Sequence, residues 1–442
     1  MPDGNADKAL TTGPSSSAPP SGPTRSLVDY QKQGGFKALQ QVKGGGQRAT
    51  ADAILNEVRT AGLRGRGGAG VRTADKWQMV RDAVSQRGGP PYLVCNAYDA
   101  DPKSLIASSL LSTQPFRVVE GIALAAYAIG AREAYLYMRS NNRGGYDAVN
   151  AALQQSQDAG YLNDLTITIV GVDVGFMGGE ESTMLQVIKG SRAMAQQRPP
   201  FPAQVGINEL PTAVDNIETL CLVADIMRSG AAAFQKTGTK ETPGTKLISV
   251  YDANGKGQLV EASFGMTVAA ILQQAGLNVT PATARGVAVG GPEGGVLPSA
   301  QWNTPFDYDA LKAAGTIVGS ATIEVLAANT CMVAWAQARS DYLAAENCGK
   351  CIPCRTGTKR IAGTLAGIIS DVGTTGDLDL LKEFGDYVPN ASLCGFGWNA
   401  AHPLNSATRY YPDDFDKHLK GECPTGTCIP VRSHRFATKG VL

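Results

Sequence analysis

The run Cys348-Gly349-Lys350-Cys351-Ile352-Pro353-Cys354 constrains this chain more than any other stretch, and a fourth cysteine follows within Ser392-Leu393-Cys394-Gly395-Phe396-Gly397. Three thiolates at Cx2Cx2C spacing can hold three corners of a cubane, and one remote cysteine can hold the last. The polypeptide must therefore fold so that Cys394 returns to the Cys348–Cys354 loop. Zinc is the competing metal, but zinc ribbons usually pair two CxxC arms. Independent buried thiols would not explain such crowding among only 9 cysteines in 442 residues. The pattern predicts a [4Fe-4S] cluster on Cys348, Cys351, Cys354 and Cys394, with no open iron and a role in moving single electrons.

A chain of 442 residues is too long for one ordinary core. Its net charge of +1 shows no bias toward nucleic acid or anionic membrane. The apolar stretch Gly121 to Gly130 is far short of a spanning helix, and the start lacks a signal-peptide pattern. Thiols gathered in a metal-type motif, rather than spread as a disulfide framework, predict a reducing cytoplasm.

Residues 1–24 are low in complexity and are expected to be disordered. Residues 25–240 alternate apolar runs with amphipathic segments, which predicts an α/β layer domain. Tyr92–Cys95 and Leu165–Val170 read as buried strands, and Val118–Ala131 and Thr183–Lys189 as helices. Residues 245–325 read as a small α+β unit with a turn at Asn254-Gly255. Residues 330–420 read as mainly helical and carry the four cysteines. Residues 421–442 form an irregular tail.

Gly65-Arg66-Gly67-Gly68-Ala69-Gly70 precedes a helix expected to start near Thr73. Glycines allow main-chain amides close approach to a phosphate, the helix N-terminus adds positive potential, and Lys76 adds a charge. The loop fits GxGxxG as a string, but such a match alone is weak, and a tight turn would use glycines too.

Several segments in order resemble the flavin-binding subunit of respiratory complex I and the related diaphorase subunits of NAD-linked and bifurcating hydrogenases and formate dehydrogenases. They are Gly62 to Gly70 with Lys76-Trp77, Cys95-Asn96-Ala97, Gly179-Glu180-Glu181-Ser182, Arg198-Pro199-Pro200-Phe201-Pro202, Pro211 to Leu220, Glu346 to Arg355, and Ser392-Leu393-Cys394. The resemblance implies a Rossmann-like FMN domain, then a ubiquitin-like (soluble-ligand-binding β-grasp) α+β domain, then a helical-bundle iron–sulfur domain. It implies a flavin that exchanges two electrons with NAD(P)H and single electrons with the cluster. It also implies that Gly65, Arg66, Gly67, Gly68, Ala69, Gly70 and Lys76 hold the phosphate. Asn96, Asp99, Asp215 and Asn216 would line the flavin, Phe201 would stack on adenine, and Glu180 and Glu181 would sit at the reacting centre. The implied partners are a thioredoxin-like [2Fe-2S] subunit and a larger iron–sulfur or catalytic subunit.

The chain departs from that family chiefly around the nucleotide. Its second flavin segment reads Asn96-Ala97-Tyr98-Asp99-Ala100-Asp101-Pro102-Lys103-Ser104, where the family has Asn-Ala-Asp-Glu-x-Glu-Pro-Gly-Thr. Val71 and Met79 stand where two stacking aromatics are usual, Phe176 replaces a tyrosine, and Asp215-Asn216 replaces Asn-Asn. Two lost rings would weaken dinucleotide binding by about 2–6 kcal/mol if the effects add. Two alternatives to NAD(P)H chemistry follow: an FMN/[4Fe-4S] module served by another carrier, and a structural relic without flavin.

Cys331, His418, Cys423 and Cys428 remain, the last two in Cys423-Pro424-Thr425-Gly426-Thr427-Cys428. Three sulfurs and an imidazole would make a closed structural zinc site. The alternative is four unrelated residues, with Cys331 a small buried hydrophobe. His402 and His434 read as surface or satisfied residues, and Cys95 and Cys221 as core.

Overall fold

The computed structural model describes residues 26–43 and 50–428 and the backbone of Thr11–Thr12. The low-complexity stretch apart from Thr11–Thr12, the end of the tail and His434 lie outside the described residues. The chain divides into two compact units. One comprises Met1–Ala193, Arg198–Ser249 and Gln258–Met266; the other comprises Met194–Gln197, Val250–Gly257 and Thr267–Leu442. The architecture is mixed α/β with a parallel sheet.

The first unit is organised by four parallel strands in the order Thr166–Val172, Glu133–Arg139, Tyr92–Ala97, Thr212–Asn216. Tyr92–Ala97 is central and buried at five of its six residues, the pattern of a strand covered on both faces. Thr166–Val172 lies at the edge and has no fully buried residue. The helix Pro115–Ile129 begins with Pro at its first turn and ends on Gly130 in the left-handed region at φ 80°. All its residues but Tyr127 are buried. It lies against the helix Ile217–Ser229 at Gly121, where a Cβ would stand 2.1 Å from the Leu220 carbonyl oxygen. Only glycine permits that approach. Cys95 and Cys221 are both buried in this unit.

The second unit contains the strands Ala284–Val289, Gly295–Leu297 and Thr322–Ala327, paired antiparallel with Ala284–Val289 in the middle. The helices Met332–Glu346, Ile352–Ile369 and Thr375–Ala391 follow and pack in succession. A capping box between Thr374 and Asp377 starts the third of these. Three shorter helices follow, Gly395–Asn399, His402–Tyr410 and Pro412–Leu419.

Candidate flavin and iron–sulfur sites

The strands Tyr92–Ala97, Glu133–Arg139 and Thr166–Val172 are laid down in one direction across the sheet, and Thr212–Asn216 returns to the other side of the first. The order therefore reverses between Tyr92–Ala97 and Thr212–Asn216. In open α/β sheets, ligands bind outside the carboxyl ends of strands at such a switch point. Asn96 and Asn216 stand paired in register there.

The glycine loop closes onto this crevice. An antiparallel bridge joins Arg64 to Arg72, the Gly65 amide donates to the Val71 carbonyl at 2.8 Å, and Arg64 Nε donates to the Gly70 carbonyl at 2.7 Å. Gly68 and Gly70 turn the loop at φ 101° and 64°. A Cβ on Gly67 would lie 3.4 Å from Asn216 Cβ, so the loop rests on the end of the strand. Among the described residues, the amides of Gly67, Gly68 and Ala69 find no acceptor. The fully buried Thr73 hydroxyl, at the start of the helix Thr73–Arg87, has no partner either. Solvent-facing loop amides and one buried, unpartnered hydroxyl beside a helix N-terminus fit a bound phosphate, and so this chain's residues fit FMN.

The other expected flavin residues are distributed unevenly. The Arg66 guanidinium is buried among the carbonyls of Arg64, Pro243 and Thr245, and its amide donates to Thr219 Oγ1. It anchors the loop from within and presents no charge to an anion. Lys76 is met by Asp215, with Nζ 2.6 Å from Oδ1, and by the Val214 carbonyl. Trp77 Nε1 donates to the other Asp215 oxygen at 2.7 Å. Burial works against the Lys76 charge, but Asp215 and Glu181 outweigh it and raise its pKa. Asn216 Oδ1 accepts from the Glu218 amide and caps the next helix. Asn96 accepts from the Tyr98 amide and donates to the Gly179 carbonyl at 3.3 Å.

The Glu180 carboxylate caps the helix Glu181–Ile188, accepting from the Thr183 amide at 2.8 Å and from the Ser182 hydroxyl. Its other oxygen meets Arg198 at 2.7 Å, and Arg198 also reaches Glu181 at 3.1 Å. Burial pushes the Glu181 carboxyl up, with Lys76 and Arg198 opposing. Arg198, which the sequence offers only as the first residue of a proline-rich motif, is the cation that holds the acidic pair. Nothing in its sequence separation announces that contact.

The substituted segment is built into the framework. Tyr98 is buried, donates to the Gly175 carbonyl at 2.9 Å, accepts from the Val174 amide and lies under the Arg139 guanidinium at 4.7 Å. It pins the turn that leads into Glu180. Asp99 accepts from the Ser104 hydroxyl and from the Ala107 and Ser108 amides in the first turn of the helix Ile106–Thr113. Burial raises the Asp99 carboxyl. Val71, Met79 and Phe201 are exposed by 54%, 41% and 44%, an apolar set open to solvent. Met79, Gln78, Pro199, Pro200 and Gln204 border a cavity of about 780 Å³.

In the second unit, Cys354 and Cys394 are buried, and Cys348 and Cys351 are half-buried. Burial and the nearby Cys351, Cys394 and Cys348 together push the Cys354 thiol up, so the four sulfurs share one locale. Cys351 and Cys394 each occupy the N-cap of a helix, where thiolate charge is favoured. Gly397 keeps this loop tight, since a Cβ there would stand 2.2 Å from Ser392 Cβ. Four thiols with two helix N-termini fit a [4Fe-4S] cluster.

Cys331, His418, Cys423 and Cys428 also converge, with their ligand atoms all within 4.8 Å of one another. His418 Nε2 lies 3.5 Å from Cys331 Sγ and 3.4 Å from Cys428 Sγ. Its Nδ1 engages the Asp414 carbonyl at 2.6 Å, which leaves Nε2 for a metal. Against the effect of burial, hydrogen bonds from Thr425 and the Cys428 amide lower the Cys423 thiol to about 5. His402 lies elsewhere, engaging the Asn399 carbonyl through Nδ1.

Residues 58–225 match the Nuo51 FMN-binding domain, and residues 334–418 match the NADH-ubiquinone oxidoreductase-F iron-sulfur binding region. The F 2 subunit of NADH-quinone oxidoreductase in Rhizobium meliloti is 34% identical, over 90% of this chain and 96% of that protein. The HndC subunit of the NADP-reducing hydrogenase in Solidesulfovibrio fructosivorans is 32% identical, over 92% and 84% respectively. A crystal structure of an NAD+-reducing [NiFe]-hydrogenase in the H2-reduced state superposes with a TM-score of 0.81 at 29% identity, over 98% of this chain and 71% of that one. Fold and sites define an FMN- and [4Fe-4S]-binding electron-transfer subunit of a multi-subunit oxidoreductase, of the NADH dehydrogenase or diaphorase type. The chain belongs to the NuoF-type family, that of the flavin-binding subunits of NADH-quinone oxidoreductase.

Proposed function

We propose that this subunit exchanges two electrons with NAD(P)H in the first unit and delivers single electrons through the cluster of the second. The observation that carries the reading is the set of donors at the switch point: the solvent-facing amides of Gly67, Gly68 and Ala69, which bond no protein acceptor, and the buried, unpartnered Thr73 hydroxyl. FMN, when bound, supplies the passage between two-electron and one-electron carriers. The protein's part is to hold and orient. The loop amides take the phosphate, Asn96 and Asn216 edge the flavin, and Arg198 holds Glu180 and Glu181 in place beside it. Cys348, Cys351, Cys354 and Cys394 hold the cluster.

Domains at 25–240, 245–325 and 330–420 are part of this proposal. The element order of residues 245–325 supports it: two strands, a helix, then shorter strands and a final strand, as a β-grasp requires. The partners proposed are a thioredoxin-like [2Fe-2S] subunit and a larger iron–sulfur or catalytic subunit, in the cytoplasm. No helix among the described residues is long and apolar enough to cross a membrane. The Cys331, His418, Cys423 and Cys428 cluster is proposed to hold structural zinc.

One observation favours a second reading. Met79 borders the cavity beside Pro199 and Pro200 without offering a stacking ring, and the exposed Val71 offers none either. Such a site suits an electron-transfer module whose two-electron partner is another carrier. Anaerobic titration of the FMN-loaded protein with NADH and NADPH decides between them. Rapid bleaching of flavin absorbance is expected from the first reading. Bound FMN that neither nucleotide reduces would establish the second.

A further inference from the structure

The Lys76–Asp215 contact sits where the glycine loop meets the sheet. Lys76 Nζ touches Val214 and Asp215, and Gly67 rests on Asn216, the next residue. Strand alternation sends Asp215 and Asn216 to opposite faces. Asn216 points to the Gly67 side, and Asp215 points to the helix that carries Lys76 and Trp77. Asp215 is 1% exposed, and Trp77 fixes its second oxygen. Its charge has no outlet except Lys76, and Glu181 adds a second negative field on the same ammonium. Lys76 is thus matched by acids of the protein's own.

We infer that Asp215 sequesters Lys76 and so sets a weak, phosphate-specific hold on FMN. This rests on the glycine loop being the phosphate cradle proposed above. An incoming phosphate dianion must share Lys76 with a buried carboxylate that already engages it. The loop amides and the helix N-terminus then carry most of the attraction. Asp215 acts through Lys76, so it is a positioning residue. Its influence must be confined to ligands that carry a phosphate.

Flavin-free full-length protein titrated with FMN and with riboflavin, followed by quenching of flavin fluorescence, tests this. Asp215→Asn keeps an acceptor for Trp77 and removes the charge. It is expected to tighten FMN by roughly fivefold or more and to leave riboflavin unchanged. In a Lys76→Met background the same change is expected to do nothing. Lys76→Met alone is expected to weaken FMN only slightly, because the lysine is already engaged. That measurement stands even if Asp215→Asn does not fold. The inference is overturned if folded Asp215→Asn leaves FMN binding unchanged or weaker, if riboflavin shifts in parallel, or if Lys76→Met alone costs more than about tenfold in FMN affinity. Wild-type protein that binds riboflavin but gains nothing from the phosphate overturns it too. Wild-type protein that binds neither flavin removes the cradle reading itself.

Discussion

Asn96 and Asn216 stand opposite each other at the carboxyl ends of two neighbouring parallel strands, although 120 residues separate them (216 minus 96). Each spends its side-chain oxygen on a local amide, Tyr98 for Asn96 and Glu218 for Asn216. The Asn216 amide group is left facing the glycine loop. Asn216→Ala removes a helix N-cap and, in the proposed site, a flavin contact. A loss of about 1 kcal/mol in stability is expected from the cap alone. FMN affinity should fall further than that, measured by fluorescence titration at a temperature where the variant remains folded.

On the NAD(P)H reading, aromatic rings at positions 71 and 79 should raise dinucleotide affinity. Val71→Phe and Met79→Phe place aromatics at exposed positions, so neither disturbs a packed core. Each ring is worth roughly 1–3 kcal/mol of stacking, or about 5- to 150-fold in Kd. Isothermal titration with NADH should show tighter binding for either single variant. No change in either would place the adenine elsewhere.

Glu120 makes stability depend on pH. It is buried, accepts a hydrogen bond from Tyr30, and burial pushes its carboxyl from 4.5 up to about 7. An acid with a raised folded-state pKa binds its proton more tightly when folded. Its stabilisation is complete below about 4.5 and is lost as pH rises through about 7. The shift sets an upper limit of about 3 kcal/mol across that window. Glu120→Gln should flatten the slope of urea-unfolding free energy between pH 4.5 and 7. A slope as steep as that of the wild type would assign the dependence to other groups.

Gly121 should tolerate no side chain. Its missing Cβ lies within 2.1 Å of the Leu220 carbonyl, which is backbone and cannot rotate away. Gly121→Ala is expected to cost about 1–3 kcal/mol or more, read as a lowered Tm. Gly363, with open space around it, serves as the control, where alanine should be neutral or stabilising.

The two metal centres should separate on analysis. Cys354→Ala should abolish bound iron and the broad visible absorbance of the cluster while leaving zinc in place. Cys423→Ser should lower zinc content at least about tenfold at limiting metal and leave iron unchanged. Loss of both metals from Cys423→Ser would mean that its four-residue cluster is needed to fold the helical region.

The chemistry of this chain was legible before its shape. Cx2Cx2C spacing with one remote cysteine is a local signal, because three of four ligands lie within one loop and its adjoining helix. The glycine loop was weaker by itself, since a tight turn would use glycines too, and it gained meaning only beside the other motifs. The strands Tyr92–Ala97 and Thr166–Val172 and the helix Pro115–Ile129 were visible as apolar runs. Glu133–Arg139 and Thr212–Asn216 were not read as strands. The first mixes charged and aromatic residues, and the second is short and ends in polar residues. Without that last strand there is no switch point, and Asn96 and Asn216 cannot be paired.

Residue types, short spacings and turn chemistry thus determined which cofactors this protein is equipped to hold. Tertiary structure alone decided how its charges are spent: Lys76 on Asp215, Arg198 on Glu180 and Glu181, Arg66 on buried carbonyls, and Cys331 with His418 and Cys428. The physical reason is range. Backbone geometry and metal spacing act over a few residues, whereas a buried ion pair or a metal cluster is completed by whichever side chain the packed core delivers across it.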